Sequence, residues 1–236
     1  MSAAPEAPIV ELGDVHLKLA SQAGEVNILR GVDLTVARGE SLAVVGPSGS
    51  GKSTMMMIVA GLERPTKGAV RVAGQDLSRL DEDGLATFRR RNVGIVFQAF
   101  HLIPTMTALE NVAIPLEFAG DREAWDKARA ALDRVGLGHR TTHYPGQMSG
   151  GEQQRTALAR AFVAEPALLL ADEPTGNLDA TTGLSIVDLM FDLQQRIGTA
   201  LLLITHDPKL AQRCDRAVRM QDGRLSPAPA LMSAAQ

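Results

Sequence analysis

The sequence predicts an α/β fold with a mainly parallel sheet, an N-terminal antiparallel β layer and an inserted helical lobe. Short apolar runs of about four residues recur without alternation, which suits strands covered on both faces. Helical patterns separate these runs, which is typical of an α/β arrangement. The front and the middle of the chain depart from this rhythm in different ways, and these departures indicate the β layer and the lobe.

The front of the chain contains strand patterns joined by turns. We expect strands at Val10–Leu19, Ile28–Val36 and Ala69–Val72, with turns at Gly24–Glu25 and Arg38–Gly39. Strands that follow one another through short turns pair antiparallel. A small antiparallel layer beside the parallel core is therefore predicted.

The parallel core is expected from four buried-strand patterns. One long helical pattern, Thr181–Ile197, precedes the last of them and places its apolar residues near one face. The four strands are Leu42–Val45, Gly94–Phe97, Leu168–Ala171 and Leu201–Ile204.

The middle of the chain is predicted to be helical. Thr107–Phe118 and Asp121–Val135 have helical patterns, and Thr107 and Glu110 have the spacing of a capping box. These helices suggest a lobe over residues 100–164, inserted into a single domain of residues 9–225. Residues 1–8 and 226–236 are rich in Ala, Pro and Ser without an apolar period, so we expect both ends to be disordered.

Composition narrows the class of protein. The 236 residues carry 24 basic and 27 acidic side chains, a net charge of −3, which argues against nucleic-acid binding through bulk charge. Cys214 is the single cysteine, so a reducing compartment is expected. No apolar run approaches the roughly 18 residues of a membrane span, and no apolar segment follows Met1. The sequence thus predicts a cytoplasmic chain without a signal peptide.

A phosphate-binding loop follows the strand Leu42–Val45 and precedes a helical run, Ser53–Leu62. Its glycines let successive N–H groups face one point, and the helix N-terminus adds partial positive charge there. Lys52 is expected to bridge the β- and γ-phosphates, and the Ser53 hydroxyl to ligate Mg²⁺. The residues predicted to hold ATP are Gly46, Pro47, Ser48, Gly49, Ser50, Gly51, Lys52, Ser53 and Thr54.

Two adjacent carboxylates end the strand Leu168–Ala171. Asp172 is placed to hold Mg²⁺, and Glu173 to act as general base on a water in line with the γ-phosphate. Asp-Glu-Pro is also an ordinary strand-end turn. The presence of the phosphate loop in the same chain favours the catalytic interpretation.

A second helix start has the features of an anion site. Ser149 and Glu152 have capping-box spacing, and Gly150 and Gly151 lie between them, before the helical pattern Gln153–Ala164. One chain cannot easily fold both helix starts around one nucleotide. The alternative to a plain capped helix is a head-to-tail pair of chains, each completing the ATP site of the other.

These motifs together resemble the nucleotide-binding ATPase of ABC transporters. The likeness extends from Val10 to Leu225, in the family's order of motifs. Gly46–Thr54 is similar to Walker A, Ser149–Gln153 to the ABC signature, and Leu168–Glu173 to Walker B with its catalytic glutamate. The resemblance implies a P-loop NTPase core that hydrolyses ATP with Mg²⁺ as a homodimer.

Three further residues take their roles from the resemblance alone. Gln98 is similar to the Q-loop glutamine, which touches Mg²⁺ and senses the γ-phosphate. Asp179 ends a run similar to the D-loop, which bridges to the partner chain, and His206 is similar to the switch histidine at the γ-phosphate. The implied site combines Lys52, Ser53, Gln98, Asp172, Glu173 and His206 of one chain with Ser149 and Gly151 of the other. The resemblance implies further nucleotide contacts at Gly150, Glu152 and Asp179.

Finer likenesses narrow the branch of the family. Phe97–Pro104, Thr107–Val112 and Asp172–Asp179 are similar to the lipoprotein-release, macrolide-exporter and cell-division (FtsE) ATPases, and most of all to the YbbA type. This resemblance implies a partner permease with an extracytoplasmic domain. The ATPase is then peripheral on the inner face of the cell membrane. Several members of the branch transmit force without passing substrate through the bilayer.

Two regions leave alternatives open. The family usually stacks an aromatic residue on adenine near the end of the first strand, whereas this chain has Leu19 there, so the base could pack on Leu19 or Val26 instead. The apolar residues after Gln98 could form lobe core or a groove for a short permease helix, and we expect both. These residues are Phe100, Leu102, Ile103 and Met106.

Two other functions compete with the permease-bound ATPase. A soluble ABC ATPase acting on DNA or ribosomes usually carries two such domains or a long coiled coil, and this chain has neither. A P-loop kinase would have no use for Ser149–Gln153 or His206. We therefore expect a second copy of the chain and a permease as partners, and no nucleic acid.

Overall fold

The computed structural model describes residues 7–21 and 24–228, and its contacts separate into two compact units. The first unit is Met1–Ala86 with Ala200–Gln236, and the second is Thr87–Thr199. The strands are β1 (Val10–Ser21), β2 (Gly24–Val36), β3 (Ser41–Val45), β4 (Lys67–Val72), β5 (Gln75–Asp76), β6 (Val93–Phe97), β7 (Leu168–Asp172), β8 (Ala200–Ile204), β9 (Arg216–Gln221) and β10 (Arg224–Pro227). The helices are α1 (Lys52–Val59), α2 (Glu82–Asn92), α3 (Ala108–Phe118), α4 (Ala124–Arg134), α5 (Gly150–Phe162), α6 (Ala180–Ile197) and α7 (Pro208–Ala211).

The first unit contains the predicted antiparallel layer and part of the predicted parallel sheet. The antiparallel strands follow the order β2-β1-β4-β5. In the second set, β3 pairs in parallel with both β8 and β9, and β10 pairs antiparallel with β9. Every residue of β8 is buried, as its unbroken apolar pattern predicts.

The second unit contains two parallel strands and the helices of the predicted lobe. β6 and β7 pair in parallel, with Phe97 opposite Asp172 at their carboxyl ends. Helices α3, α4 and α5 pack on one another. Thr107 and Glu110 form the predicted capping box at the start of α3. Asp179 caps the first turn of α6, and Gly198, at φ 76°, ends that helix in the left-handed conformation.

Several element bounds differ from those expected from the sequence. Gly24 lies in β2 opposite Ser21 rather than in a turn, and residues 22–23 are outside the described residues. Helix α5 begins at Gly150 rather than Gln153, because the capping box supplies its first hydrogen bonds. Helix α4 begins at Ala124, after the break at Gly120.

The prediction of disorder at the C-terminal end is wrong for its first two residues. The sequence predicts disorder at Ser226 and Pro227, but they pair with Arg219 and Val218 as part of β10. Proline is tolerated there because β10 is the last strand at the edge of its sheet. The remaining expected disorder, at residues 1–6 and 229–236, lies outside the described residues, and the division into domains stays a prediction. Within residues 7–21 and 24–228, no helix is long and apolar enough to cross a membrane.

Candidate functional site: a nucleotide-binding loop and a carboxylate edge

The first unit presents a phosphate loop between β3 and α1. Gly46, Gly49 and Gly51 have φ values of 153°, 75° and 104°, which L side chains rarely adopt. A Cβ atom on Gly46 would lie 2.1 Å from the carbonyl oxygen of Met220, and one on Gly51 would lie 2.9 Å from a methyl of Leu29. Glycine is therefore required at both ends of the loop by backbone conformation and by close packing.

The loop has the donors that a polyphosphate needs. Helix α1 begins at Lys52 without a side-chain cap and without an acidic residue in its first turn, so its positive end is left to an anion. The Lys52 ammonium group is buried and donates to the carbonyl oxygens of Gly46 and Pro47, each at 2.9 Å. The buried Ser50 hydroxyl has no hydrogen-bond partner within the described part of the chain. These groups fit the phosphates of a nucleotide.

A turn that sequence reasoning missed supports this loop. Gly223 lies between β9 and β10, and its N–H donates to the carbonyl of Ser50 at 3.0 Å. The carbonyl of Gly223 accepts from the N–H of Arg30 at 2.9 Å. Asp222 and Gly223 have φ values of 50° and 73°, as in the type I′ turn of a tight hairpin. The Asp-Gly dipeptide is a turn signal that could have revealed this hairpin.

His206 lies at the same sheet edge as the phosphate loop. In the parallel pair of β3 and β8, Val44 is opposite Ile204. Gly46 lies two residues after Val44, and His206 lies two residues after Ile204. The His206 side chain is exposed. The structure therefore brings His206 and the loop to one edge, which is where ligands bind in open α/β sheets.

The second unit brings Gln98, Asp172 and Glu173 to one edge. Gln98 follows Phe97, which is opposite Asp172, so the amide and the carboxylate leave neighbouring strands together. Asp172 and Glu173 are half-buried. Glu173 has a φ of 46°, a conformation that costs a non-glycine residue about 1–3 kcal/mol and tends to occur where function requires it.

The turn after Glu173 is joined to Gln98. The side-chain amide of Asn177 donates to the Gln98 carbonyl at 2.9 Å, and the Gln98 amide donates to Asn177 Oδ1 at 3.3 Å. A Cβ atom on Gly176 would lie 2.6 Å from Gln98 Nε2. Asp179 then caps α6, and hydrogen bonds from Thr182 lower the pKa of its carboxyl group. Sequence reasoning gave no role to Asn177 within this run.

The second predicted anion site is a capped helix start. The Ser149 hydroxyl accepts from the N–H of Glu152 at 3.3 Å, and Glu152 Oε2 accepts from the N–H of Ser149 at 2.8 Å. Arg140 donates to the other oxygen of Glu152 at 2.9 Å. The hydrogen bond from the backbone N–H of Ser149 has the largest effect on the pKa of Glu152 and lowers it. Burial acts in the opposite direction, but the pKa is lowered overall. Glu152 thus holds Ser149 in place, and any direct contact between Glu152 and nucleotide stays a prediction.

The two glycines at this helix start lie in close contact with neighbouring side chains. A Cβ atom on Gly151 would lie 2.7 Å from the Thr182 methyl, and one on Gly150 would lie 3.3 Å from Leu178. The start of α5 therefore packs against the segment that leads into α6. Ser149 is exposed at this position.

Comparisons with known proteins agree on one family. The profile described as "ABC transporter" matches residues 29–176. The uncharacterized ABC transporter ATP-binding protein YbbA of Escherichia coli (strain K12) is 50% identical over 223 residues, covering 94% of this chain and 98% of that protein. The chain belongs to the ABC transporter family. It is an ATP-binding subunit and an ATPase of that family, with the predicted fold.

Two further relatives describe the family context. The lipoprotein-releasing system ATP-binding protein LolD of Geobacter metallireducens is 48% identical over 219 residues, covering 92% of this chain and 97% of that protein. A dimeric, post-hydrolysis structure of the ATP-binding cassette MJ0796 bound to ADP and Pi has a TM-score of 0.86 and 37% identity. That match covers 95% of this chain and 99% of MJ0796.

The position expected to pack on adenine carries no aromatic residue, and this contact with adenine stays a prediction. Leu19 is opposite Val26 in the β1–β2 pair, and they are 45% and 47% exposed. An aliphatic pair at this surface offers less than an aromatic face, by about 1 kcal/mol.

The segment after Gln98 is partly buried, and its role as a groove for a permease helix stays a prediction. Phe100, Leu102, Ile103 and Met106 are all half-buried. The fully buried Asn111 fixes this segment, because it accepts from the N–H of Ile103 at 2.7 Å and donates to the Met106 carbonyl at 3.1 Å.

The predicted magnesium ligands are a hydroxyl, an amide oxygen and a carboxylate. The donor atoms of Ser53, Gln98 and Asp172 are oxygens, which Mg²⁺ prefers as ligands. Only one of the three side chains is charged, as is usual where substrate phosphates complete the coordination of Mg²⁺. Among the described residues, no group of three His, Cys, Asp or Glu side chains could hold a metal ion.

Proposed function

We propose that this ABC ATPase powers a membrane permease through ATP-driven closure of a homodimer. The phosphate loop carries the proposal, because its left-handed glycines, buried Lys52 and uncapped helix start form a polyphosphate cradle. The residues proposed to bind the nucleotide are Gly46, Pro47, Ser48, Gly49, Ser50, Gly51, Lys52, Ser53 and Thr54.

Each catalytic residue is proposed to act at the γ-phosphate. Lys52 exchanges its bonds to the loop carbonyls for phosphate oxygens, and Ser53, Gln98 and Asp172 hold Mg²⁺. When bound, Mg²⁺ neutralises charge on the β- and γ-phosphates. Glu173 takes the proton of the attacking water, and His206 orients that water and contacts the γ-phosphate.

The second copy of the chain is proposed to complete each site. Ser149, Gly150 and Gly151 present an exposed, capped helix start, which can face a nucleotide held by another chain. Asp179, at the start of α6, is proposed to bridge the same interface. The MJ0796 cassette, which is similar to this chain, forms a dimer bound to ADP and Pi, and this supports the arrangement. Loss of the γ-phosphate removes the contact between the chains, and the dimer reopens.

The proposed partner is a permease with an extracytoplasmic domain, on the inner face of the cell membrane. The names of the LolD relatives connect such subunits with lipoprotein release. We propose that dimer closure transmits force to the permease for export, or for extraction of a lipoprotein or lipid from the membrane. The half-buried segment after Gln98 is the proposed docking site of the permease.

The first test is the Glu173→Gln variant. We expect ATP hydrolysis to fall by about 10²- to 10⁴-fold because the general base is lost, while ATP binding remains. With ATP and Mg²⁺, size-exclusion chromatography with light scattering should show a stable dimer.

Glu165→Gln is a matched control for this test. Glu165 is exposed and has a φ of 48°, close to the 46° of Glu173, so the substitution and the backbone conformation are the same. A Glu173→Gln chain that hydrolyses ATP normally, or stays monomeric at saturating ATP, would contradict the proposal.

Lys52→Ala should lose ATP binding.

The partner is tested with tagged Glu173→Gln in detergent-solubilised membranes with ATP and Mg²⁺. Mass spectrometry of the captured proteins should recover a polytopic protein with a large extracytoplasmic domain. Recovery of ribosomal proteins or DNA-bound factors without a membrane protein would refute the permease and favour a soluble ABC ATPase.

A further inference from the structure

The segment that follows Gln98 holds two successive residues in the left-handed conformation. Phe100 has a φ of 58° and His101 a φ of 48°. Phenylalanine rarely adopts this conformation, and two such residues in succession are rarer still. The surrounding structure must therefore hold this turn, since the backbone alone favours another conformation.

Arg160 of α5 holds the turn at Phe100 and His101 in this conformation. Its Nη2 donates to the carbonyl of Phe100 at 2.8 Å, and its Nη1 donates to the carbonyl of His101 at 2.7 Å. The guanidinium presents its N–H donors to two neighbouring acceptors in a fixed planar fork, whereas the donors of an ammonium group have no such fixed arrangement. Burial disfavours the charged guanidinium and lowers the pKa of Arg160. The hydrogen bonds to the carbonyls of Phe100 and His101 offset this desolvation.

The turn is closely tied to the residues before it. The N–H of His101 donates to the carbonyl of Ala99 at 2.6 Å, and the rings of His101 and Phe97 meet edge to face with centroids 4.8 Å apart. Gln98 lies within this closed segment. Any change in the conformation of Phe100 and His101 would therefore move the backbone of Gln98.

The same helix also fixes the segment after Glu173. Gln154 is fully buried and donates to the carbonyl of Pro174 at 2.6 Å. Helix α5 thus has one contact to the backbone beyond Gln98 and another to the backbone beyond Glu173. Arg160 and Gln154 lie within a single rigid element that begins at the Ser149 cap.

We propose that Arg160 is a positioning residue that aims Gln98 at Mg²⁺. It holds the Phe100–His101 turn in its left-handed form and thereby sets the direction in which Gln98 leaves β6. This inference rests on the proposed role of Gln98 as a magnesium ligand.

The test measures how much Mg²⁺ strengthens ATP binding. ATP affinity of the hydrolysis-blocked Glu173→Gln chain is determined by calorimetry in excess Mg²⁺ and again in EDTA. We expect Arg160→Gln to reduce the ratio of the two affinities by about 10-fold, as substitutions of residues that hold a metal ligand in place do, with the affinity in EDTA unchanged. Arg160→Lys keeps the charge but loses the fork, and should also reduce the ratio.

A double variant separates positioning from a general structural role. Gln98→Ala should reduce the same ratio, and adding Arg160→Gln to it should cause little further loss, because both changes act through one ligand. Arg196→Gln is the control, since Arg196 lies in the same unit and pairs with Asp192 at an exposed site. An unchanged ratio in Arg160→Gln, or losses that multiply in the double variant, would overturn the inference.

A second route is available if Arg160→Gln does not fold. Glycine adopts the left-handed conformation without strain, so Phe100→Gly should make the ratio less sensitive to Arg160→Lys. Equal losses with and without Phe100→Gly would refute the inference. If the wild-type chain neither binds nor hydrolyses ATP, the proposed function fails; if it does both and the Arg160 variants match it, only the role of Arg160 fails.

Discussion

Gly223 shows how a residue remote in sequence belongs to the nucleotide site. Its N–H holds the carbonyl of Ser50 within the phosphate loop. A Cβ atom at this position would lie 2.3 Å from the carbonyl oxygen of Ile28, and its φ of 73° is unsuitable for an L side chain. A larger residue would therefore displace the turn and with it the loop.

We predict that Gly223→Ala weakens ATP binding as well as stability. Gly198→Ala is the matched control, because Gly198 has a φ of 76° but no heavy atom within 4 Å of an added Cβ. Gly198→Ala should cost about 1–2 kcal/mol of stability and leave ATP affinity unchanged. Urea unfolding and titration with ATP measure the two quantities, and an ATP affinity lowered equally in both variants would contradict the role of the turn.

Residues were predictable from the sequence where a local motif names them. Gly46–Thr54 is such a motif, and its strand and helix flanks were visible as well. Gly223 and Arg160 were not found, because their roles depend on contacts with backbone far along the chain. The left-handed Phe100 was not predictable either, since no local preference of phenylalanine favours it.

Among the secondary structure elements, α5 does the most to organise the candidate site. Its first turn depends on Glu152, which accepts from Ser149 and from Arg140. Helix α3 begins with the same type of box, formed by Thr107 and Glu110. Both boxes were predicted from Ser or Thr followed three residues later by Glu, which shows that a helix start can be read from sequence.

Strands β9 and β10 show where periodicity fails. Arg216–Gln221 has only Met220 buried, and neighbouring charged residues leave no apolar run to detect. The parallel pairing of β9 with β3 is set by tertiary contacts instead. Tertiary context can override the local sequence pattern of a strand in this way.

We predict that the cap of α5 is lost in acid. Hydrogen bonding lowers the pKa of Glu152 in the folded chain, so the ionised group contributes stability above its ordinary pKa of 4.5. That contribution disappears as the pH falls through the lowered pKa. Glu152→Gln should thus be less stable than wild type at pH 7, by about 0.3–1 kcal/mol, with a difference that narrows below about pH 4.

Thermal unfolding between pH 3 and 7 measures this difference, with Glu110→Gln as the comparison. The pKa of Glu110 is lowered by the backbone and hydroxyl of Thr107. Arg140 pairs with Glu152, so high salt should reduce the effect of Glu152→Gln more than that of Glu110→Gln. A stability difference for Glu152→Gln that does not change with pH would exclude the ionised cap.

At the scale of the whole molecule, one rule of parallel sheets assembles each set of candidate residues. In one unit, the pairing of β3 with β8 places the phosphate loop and His206 at one edge. In the other, the pairing of β6 with β7 does the same for Gln98 and Asp172. This grouping was predictable, because functional residues in such sheets follow the carboxyl ends of strands.

The proposed dimer requires the two nucleotide-binding segments to respond differently to protein concentration. Gly46–Thr54 binds ATP within its own chain, so its backbone should become protected from hydrogen exchange at any protein concentration once ATP is saturating. Ser149–Gly151 is proposed to bind ATP held by the partner, so its protection should appear only at concentrations at which the dimer forms. Exchange measured by mass spectrometry on Glu173→Gln, with ATP and Mg²⁺ over a range of protein concentrations, tests this expectation. Lys52→Ala should lose protection in both segments. Protection of Ser149–Gly151 that is independent of concentration would mean that the segment responds to its own chain's nucleotide, and the head-to-tail dimer would then be wrong.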